Sequence, residues 1–188
     1  MNKSASMRGI QFVMSLVIAA FSIASAQDPR PPDDTAPPPL RTISREERVL
    51  IDAERDSKDR IKLTLGLATA HLTTTENETT RQDYEKAAAA AGRYWALLED
   101  AFAFLKPMKS DSNKTRDLYK RVELTLRAHG PRLATIRRST PVEYSVWIKE
   151  IEDLARKGRT EALNSFYGHT VVRDQQTESS RKEDKPKP

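Results

Sequence analysis

Residues 84–107, YEKAAAAAGRYWALLEDAFAFLKP, decide the fold. Tyr84, Ala87/Ala88, Ala91, Tyr94/Trp95, Leu98, Ala101/Phe102 and Leu105 recur in three- and four-residue steps, a sustained heptad that a helix gathers onto one side. Five consecutive alanines, Ala87 to Ala91, favour the helix intrinsically and let another helix approach closely. Pro107 stops it. A helix with so broad an apolar face must bury it against others, and the flanking sequence supplies them.

Upstream, Ser44 followed by Glu47 is a capping box, and Val49-Leu50 opens an apolar register. Leu50, Ser57, Ile61, Leu65, Ala68 and Leu72 then share one side of a first helix. Ile61, Leu63, Leu65 and Leu67 also alternate, which is a strand pattern. Ala68 and Leu72 extend the helical face, so helix is preferred while strand stays open for residues 61–67. As a helix, it carries Leu63 and Leu67 on a second apolar face. The Thr73–Thr80 stretch, with Asn77 inside it, reads as a turn.

Downstream, a third helix starts near Asp111 or Ser112 with Leu118, Val122, Thr125, Leu126 and His129 on one face. Gly130-Pro131 is expected to interrupt it, with Leu133 and Ile136 continuing the register. Thr140-Pro141-Val142-Glu143 opens a fourth helix, with Tyr144, Trp147, Ile148, Ile151, Leu154 and Ala155 inward and Gly158 as its C-terminal cap. A short last helix covers Thr160 to Tyr167. Trp95 and Trp147 should both be buried. The fold class is all-α, a bundle of about four main helices over residues 44–168.

The ends differ in composition. Lys3 and Arg8 precede an apolar run, Ile10 to Ile23, and Ala24-Ser25-Ala26 ends it, so residues 1–26 read as a signal peptide cleaved near Ala26. The run is shorter than the roughly 20 residues a span requires, so no stable membrane span remains after removal; a retained anchor is the alternative. The expected location is extracytoplasmic, periplasmic or secreted. Residues 27–43 hold six prolines and read as a disordered, extended tether, with a proline-motif ligand for a partner as the alternative. Residues 169–188 form a mixed-charge tail too polar to order itself.

Of 32 Lys and Arg, two lie in the signal, leaving 30 cations against 27 Asp and Glu. An excess of three does not call for nucleic acid, which normally meets a concentrated basic face. The chain has no Cys, which excludes thiolate-held metals and thiol nucleophiles. No Gly-x-Ser-x-Gly elbow and no glycine loop for phosphate occur. Asp83–Ala87 resembles the opening of a tetratricopeptide repeat helix, but Arg93 and Asp100 stand where that repeat needs small residues.

Two features remain as candidates. His71 and His129 fall on or beside apolar faces and could meet inside the bundle, where facing helices hold metal or haem in other bundles. Neither has the Glu-x-x-His or His-x-x-x-His spacing of a ligand pair, so a hydrogen-bonded core histidine is the simpler reading. Arg116, Lys120 and Arg127 line up on the outer side of the third helix, a stripe suited to an anionic partner in the cell envelope; Glu123 interrupts it. The functional expectation is an exported interaction or scaffold module without cofactor, whose partner is a protein or envelope component. The alternatives are a bundle binding metal, haem or a small ligand through His71 and His129, and an enzyme without a recognisable motif.

Overall fold

The computed structural model describes residues 35–108 and 112–183, with side chains given to Ser165. Residues 1–26, read above as a signal peptide, together with 27–34, 109–111 and 184–188, lie outside the described residues. The described chain is all-α: α1 (Arg45–Ala53), α2 (Ser57–Thr80), α3 (Tyr84–Leu105), α4 (Asn113–Ser139) and α5 (Val142–Glu183). The backbone of α5 is helical to Glu183, so the expected tail, 169–188, falls where no side chain is described.

The helices pack as two antiparallel-type hairpins, α2 on α3 and α4 on α5, with α2 crossing α4. α3 is central. Ala87, Ala90, Ala91, Tyr94, Trp95, Leu97, Leu98, Ala101 and Leu105 are all buried, which leaves solvent a stripe through Glu85, Ala89, Arg93, Glu99 and Ala103. That is the expected register, widened because neighbours cover α3 from several directions.

The first helix divides in two. Ser44 caps α1, accepting from the Glu47 N–H at 3.2 Å, while its own N–H donates to the Glu47 carboxylate at 3.0 Å. α1 ends at Ala53, and Asp56 caps α2 by accepting from the Lys58 N–H at 2.8 Å. Because the break resets the helical phase, Ile51 is buried while Leu50, placed inward by a continuous register, is exposed. Residues 61–67 are helical, with Ile61, Thr64 and Leu65 buried and Leu63 and Leu67 packed at the core's edge.

The expected turn over Thr73–Thr80 is instead the end of α2. Threonine hydroxyls often compete with the helix, but here Thr73, Thr74, Thr75 and Thr80 each donate to the carbonyl four residues back, at 2.9–3.1 Å. Thr75 and Thr79 also face the core. The helix closes one turn later. The Asp83 N–H bonds the Glu78 carbonyl at 2.9 Å and the Gln82 N–H that of Thr79 at 3.0 Å, the paired bonds of a Schellman motif. This puts Gln82 at φ 62°, where glycine is the usual occupant.

Gly130-Pro131 does not interrupt α4, which runs unbroken through it with Leu133 and Ile136 buried as the register requires. Pro131 and Arg127 both face solvent, where water can take the Arg127 carbonyl left without a donor. Gly158 is no cap either. It sits buried inside α5, and a Cβ there would collide with the Phe102 ring. The glycine lets an aromatic face lie directly on the α5 backbone, so the fourth and last expected helices are one.

Candidate functional site

The two core histidines do not meet. His71 on α2 bonds Glu47 on α1 through Nε2 at 2.6 Å, clasping two consecutive helices. Burial pushes the Glu47 carboxyl up, but the bonds from His71 and from the Ser44 backbone outweigh it and hold the group below its usual value.

His129 lies deeper, on α4, and joins three helices. Its Nδ1 is 3.1 Å from the Tyr94 hydroxyl of α3, and its Nε2 is 3.1 Å from Thr69 Oγ1 of α2. Thr69 already donates to the Leu65 carbonyl at 2.7 Å. Its oxygen must therefore accept from His129 Nε2–H, which leaves Nδ1 to accept from Tyr94. Proton counting thus fixes one tautomer, with every proton used. Burial lowers the His129 pKa to about 4, and the nearby Arg132 guanidinium pushes the same way, against the smaller pull of Glu76. Burial raises that of Tyr94. The cluster is a neutral lock between helices, and its one imidazole lone pair is committed to a hydroxyl proton. Among the described residues, no group of three or more Asp, Glu or His side chains is placed to hold a metal ion.

Beside the lock, Arg132 donates to both oxygens of Glu76 and to Thr73, tying α4 to α2 a second time. The basic stripe is less uniform. Arg116 is half-buried, while Lys120 and Arg127 are exposed along α4. Arg127 spends its charge on Glu123, at 2.8 Å, and Arg159 of α5 reaches the same carboxylate at 3.1 Å. Glu123 is buried rather than diluting a solvent face. Burial raises its pKa, yet the hydrogen bonds from the two guanidiniums prevail and hold it ionised.

A third arrangement corrects an expectation: residues 35–43, read as part of a disordered tether, are docked on the bundle. The proline-rich segment from Thr35 to Ile43 forms no helix or strand; it lies across α3 and the start of α5 as a strap and turns tightly at Arg41, where the Thr42 N–H bonds the Leu40 carbonyl at 3.1 Å. The Ala36 N–H bonds the Glu143 carbonyl at 2.9 Å, and the Trp147 indole N–H donates to the Ala36 carbonyl at 2.8 Å. Pro39 is buried in a small cleft walled by Thr79, Tyr84, Ala87, Tyr144 and Trp147. Tyr84 and Tyr144 face each other across it with ring centroids 6.0 Å apart. Next, the Leu40 carbonyl rests on Gly92, where any Cβ would strike it. The Arg41 guanidinium stacks 3.6 Å over the Trp95 ring and pairs with Glu99 at 3.3 Å, while the Trp95 N–H donates to that carboxylate at 2.9 Å.

Trp95 is buried as expected. Trp147 is only half-buried, because its indole serves the strap instead of the core centre. Polar tips on the inward residues Tyr144 and Trp147 were the available signal, since such groups seek partners. Among the described residues, no helix is long and apolar enough to cross a membrane. No known protein-family model, curated protein or solved structure matches the chain significantly.

Proposed function

We propose that this chain is an exported helical interaction module that works without a cofactor. The observation that carries the reading is the strap seat: an aromatic-lined groove on a rigid bundle that already holds a proline-rich segment. Grooves of this chemistry recognise polypeptide, because aromatic faces suit proline rings and an indole N–H suits the unpaired carbonyls of extended chain. The interior supports the same reading, since buried His129 and Glu123 are spent holding helices to one another. The signal-like N-terminus supplies the compartment.

The test is to purify the protein from its native compartment after mild crosslinking, then determine its N-terminus, absorption spectrum, metal content and co-purifying chains. The expected product starts at Gln27, absorbs only as protein and carries a second polypeptide in fixed stoichiometry. A Soret band, or stoichiometric metal lost in His129→Ala, replaces this reading with the ligand-binding bundle. An intact Met1 on membrane-bound protein replaces export with anchoring.

A further inference from the structure

We infer that the strap seat is a polyproline recognition site held in a self-occupied state, and that it accepts in trans a proline-rich segment of another protein carrying a cation two residues after the anchoring proline. The inference rests on the interaction-module reading and names the partner's chemistry.

The contacts define a short, directional code. Trp147 and Glu143 bond the backbone of Ala36, one polyproline turn (three residues) before the anchor. The cleft between Tyr84, Tyr144 and Trp147 takes one proline, Pro39. Gly92 admits the backbone of the next residue without reading its side chain. Trp95 and Glu99 then take the cation of Arg41, by stacking and by charge.

The strap itself is a poor piece of core. Leu40 is 78% exposed and Pro37 and Pro38 face solvent, while among its aliphatic residues only Ile43, at its end, packs against the core. A segment whose purpose was to cover apolar surface would turn that leucine inward. What is recognised is backbone, one proline and one cation, which any chain of that chemistry can offer. Beside the strap, an open groove of about 340 Å³ along Ala88, Ala89 and Arg93 leaves room for bulkier side chains than the strap brings.

The tether argues for a different protein over a second copy. A segment joined by a short connection competes at an effective concentration of about millimolar. A second copy brings the same sequence at far lower concentration and loses. A partner with tandem prolines, or with side chains that fill the neighbouring groove, can win.

The test uses the full mature chain and a labelled peptide of the strap sequence, residues 35–43, followed by fluorescence anisotropy. Pro39→Glu in the protein lifts its own strap and leaves the seat intact; Pro39→Ala serves the same purpose if Pro39→Glu does not fold by circular dichroism. The lifted variant is expected to bind the peptide at least about tenfold more tightly than the parent, which carries the tethered competitor. Trp147→Phe, added to the lifted variant, should weaken binding by about fivefold through the lost hydrogen bond. A peptide with Arg41→Gln should bind about threefold more weakly, and one with Pro39→Glu should not bind. A folded, lifted variant that captures no peptide overturns the inference, as does binding indifferent to Trp147→Phe. A concentration-dependent dimer without peptide capture overturns it too, and gives the seat to strap exchange between copies. In each of those outcomes a stoichiometric complex from the native compartment still stands, with its contact elsewhere on the bundle.

Discussion

Acid should weaken this protein through one residue before its carboxylates matter. His129 is 2% exposed and neutral in the fold, with a pKa of about 4 against 6.5 for the free side chain. A folded-state pKa below the unfolded one means that the unfolded chain takes up the proton first. The stability at stake is therefore whole above pH 6.5 and is lost as pH falls from there toward 4. For these values the loss between about pH 7.5 and pH 5 is about 2 kcal/mol, approaching about 3 kcal/mol by pH 4. That is a large share of the roughly 5–15 kcal/mol that holds a domain together. The window above pH 5 precedes protonation of Glu47 and Glu123, both held below their usual values. Urea denaturation at half-unit pH steps, on the parent and on His129→Gln, isolates the contribution. The parent should lose about 2 kcal/mol more than the variant over that range. If the two curves run parallel, His129 does not titrate as its surroundings dictate and the neutral lock is wrong.

Other substitutions probe the backbone and the ion pairs. Gln82→Gly should raise stability by about 1 kcal/mol, since it removes a left-handed non-glycine residue from an intact Schellman motif; a thermal melt reads it. Gly66→Ala and Gly158→Ala should move in opposite directions. The first adds about 1 kcal/mol of helix propensity in open space, while the second loses about 1 kcal/mol or more as Phe102 is driven off α5. In the basic stripe, Arg127→Gln should cost about 1 kcal/mol by stripping a partner from buried Glu123, whereas Lys120→Gln should fall within about 0.5 kcal/mol of the parent in the same denaturation assay. Equal effects at the two positions would put Glu123 in solvent.

The helices that sequence revealed are those whose evidence is local. α3 announces itself because its heptad and its alanines agree within one stretch. α4 and α5 kept their inward residues for the same reason. The errors came from punctuation. Gly130-Pro131 and Gly158 carry the local marks of helix ends, yet whether such residues end a helix depends on what packs there, and for Gly158 that is a Phe102 ring from another helix. The α1–α2 break was missed because Glu54-Arg55-Asp56 contains neither glycine nor proline; only the capping role of Asp56 marks it. The threonines of α2 looked like loop residues, and back-bonding within the helix satisfied them. His129 was rightly placed in the core, but Tyr94 and Thr69 belong to two other helices and no spacing rule joins them. The strap was out of reach for a similar reason, because what Trp147 seeks is a main-chain carbonyl 111 positions away.

That last separation sets an order of events. α2 with α3, and α4 with α5, are neighbours in sequence and close short loops, so each hairpin can form as soon as its own residues exist. The strap is the earliest described part of the chain to be made and the last able to dock, because its floor includes Tyr144 and Trp147 near the far end. Until the start of α5 is made, a polypeptide growing from its N-terminus lacks the partners of Ala36 and the Tyr144 and Trp147 walls of the Pro39 cleft. Full docking of the strap therefore marks a finished molecule, and a chain truncated before Val142 would keep the α2–α3 hairpin and its contacts to Leu40 and Arg41 while losing both partners of the Ala36 backbone.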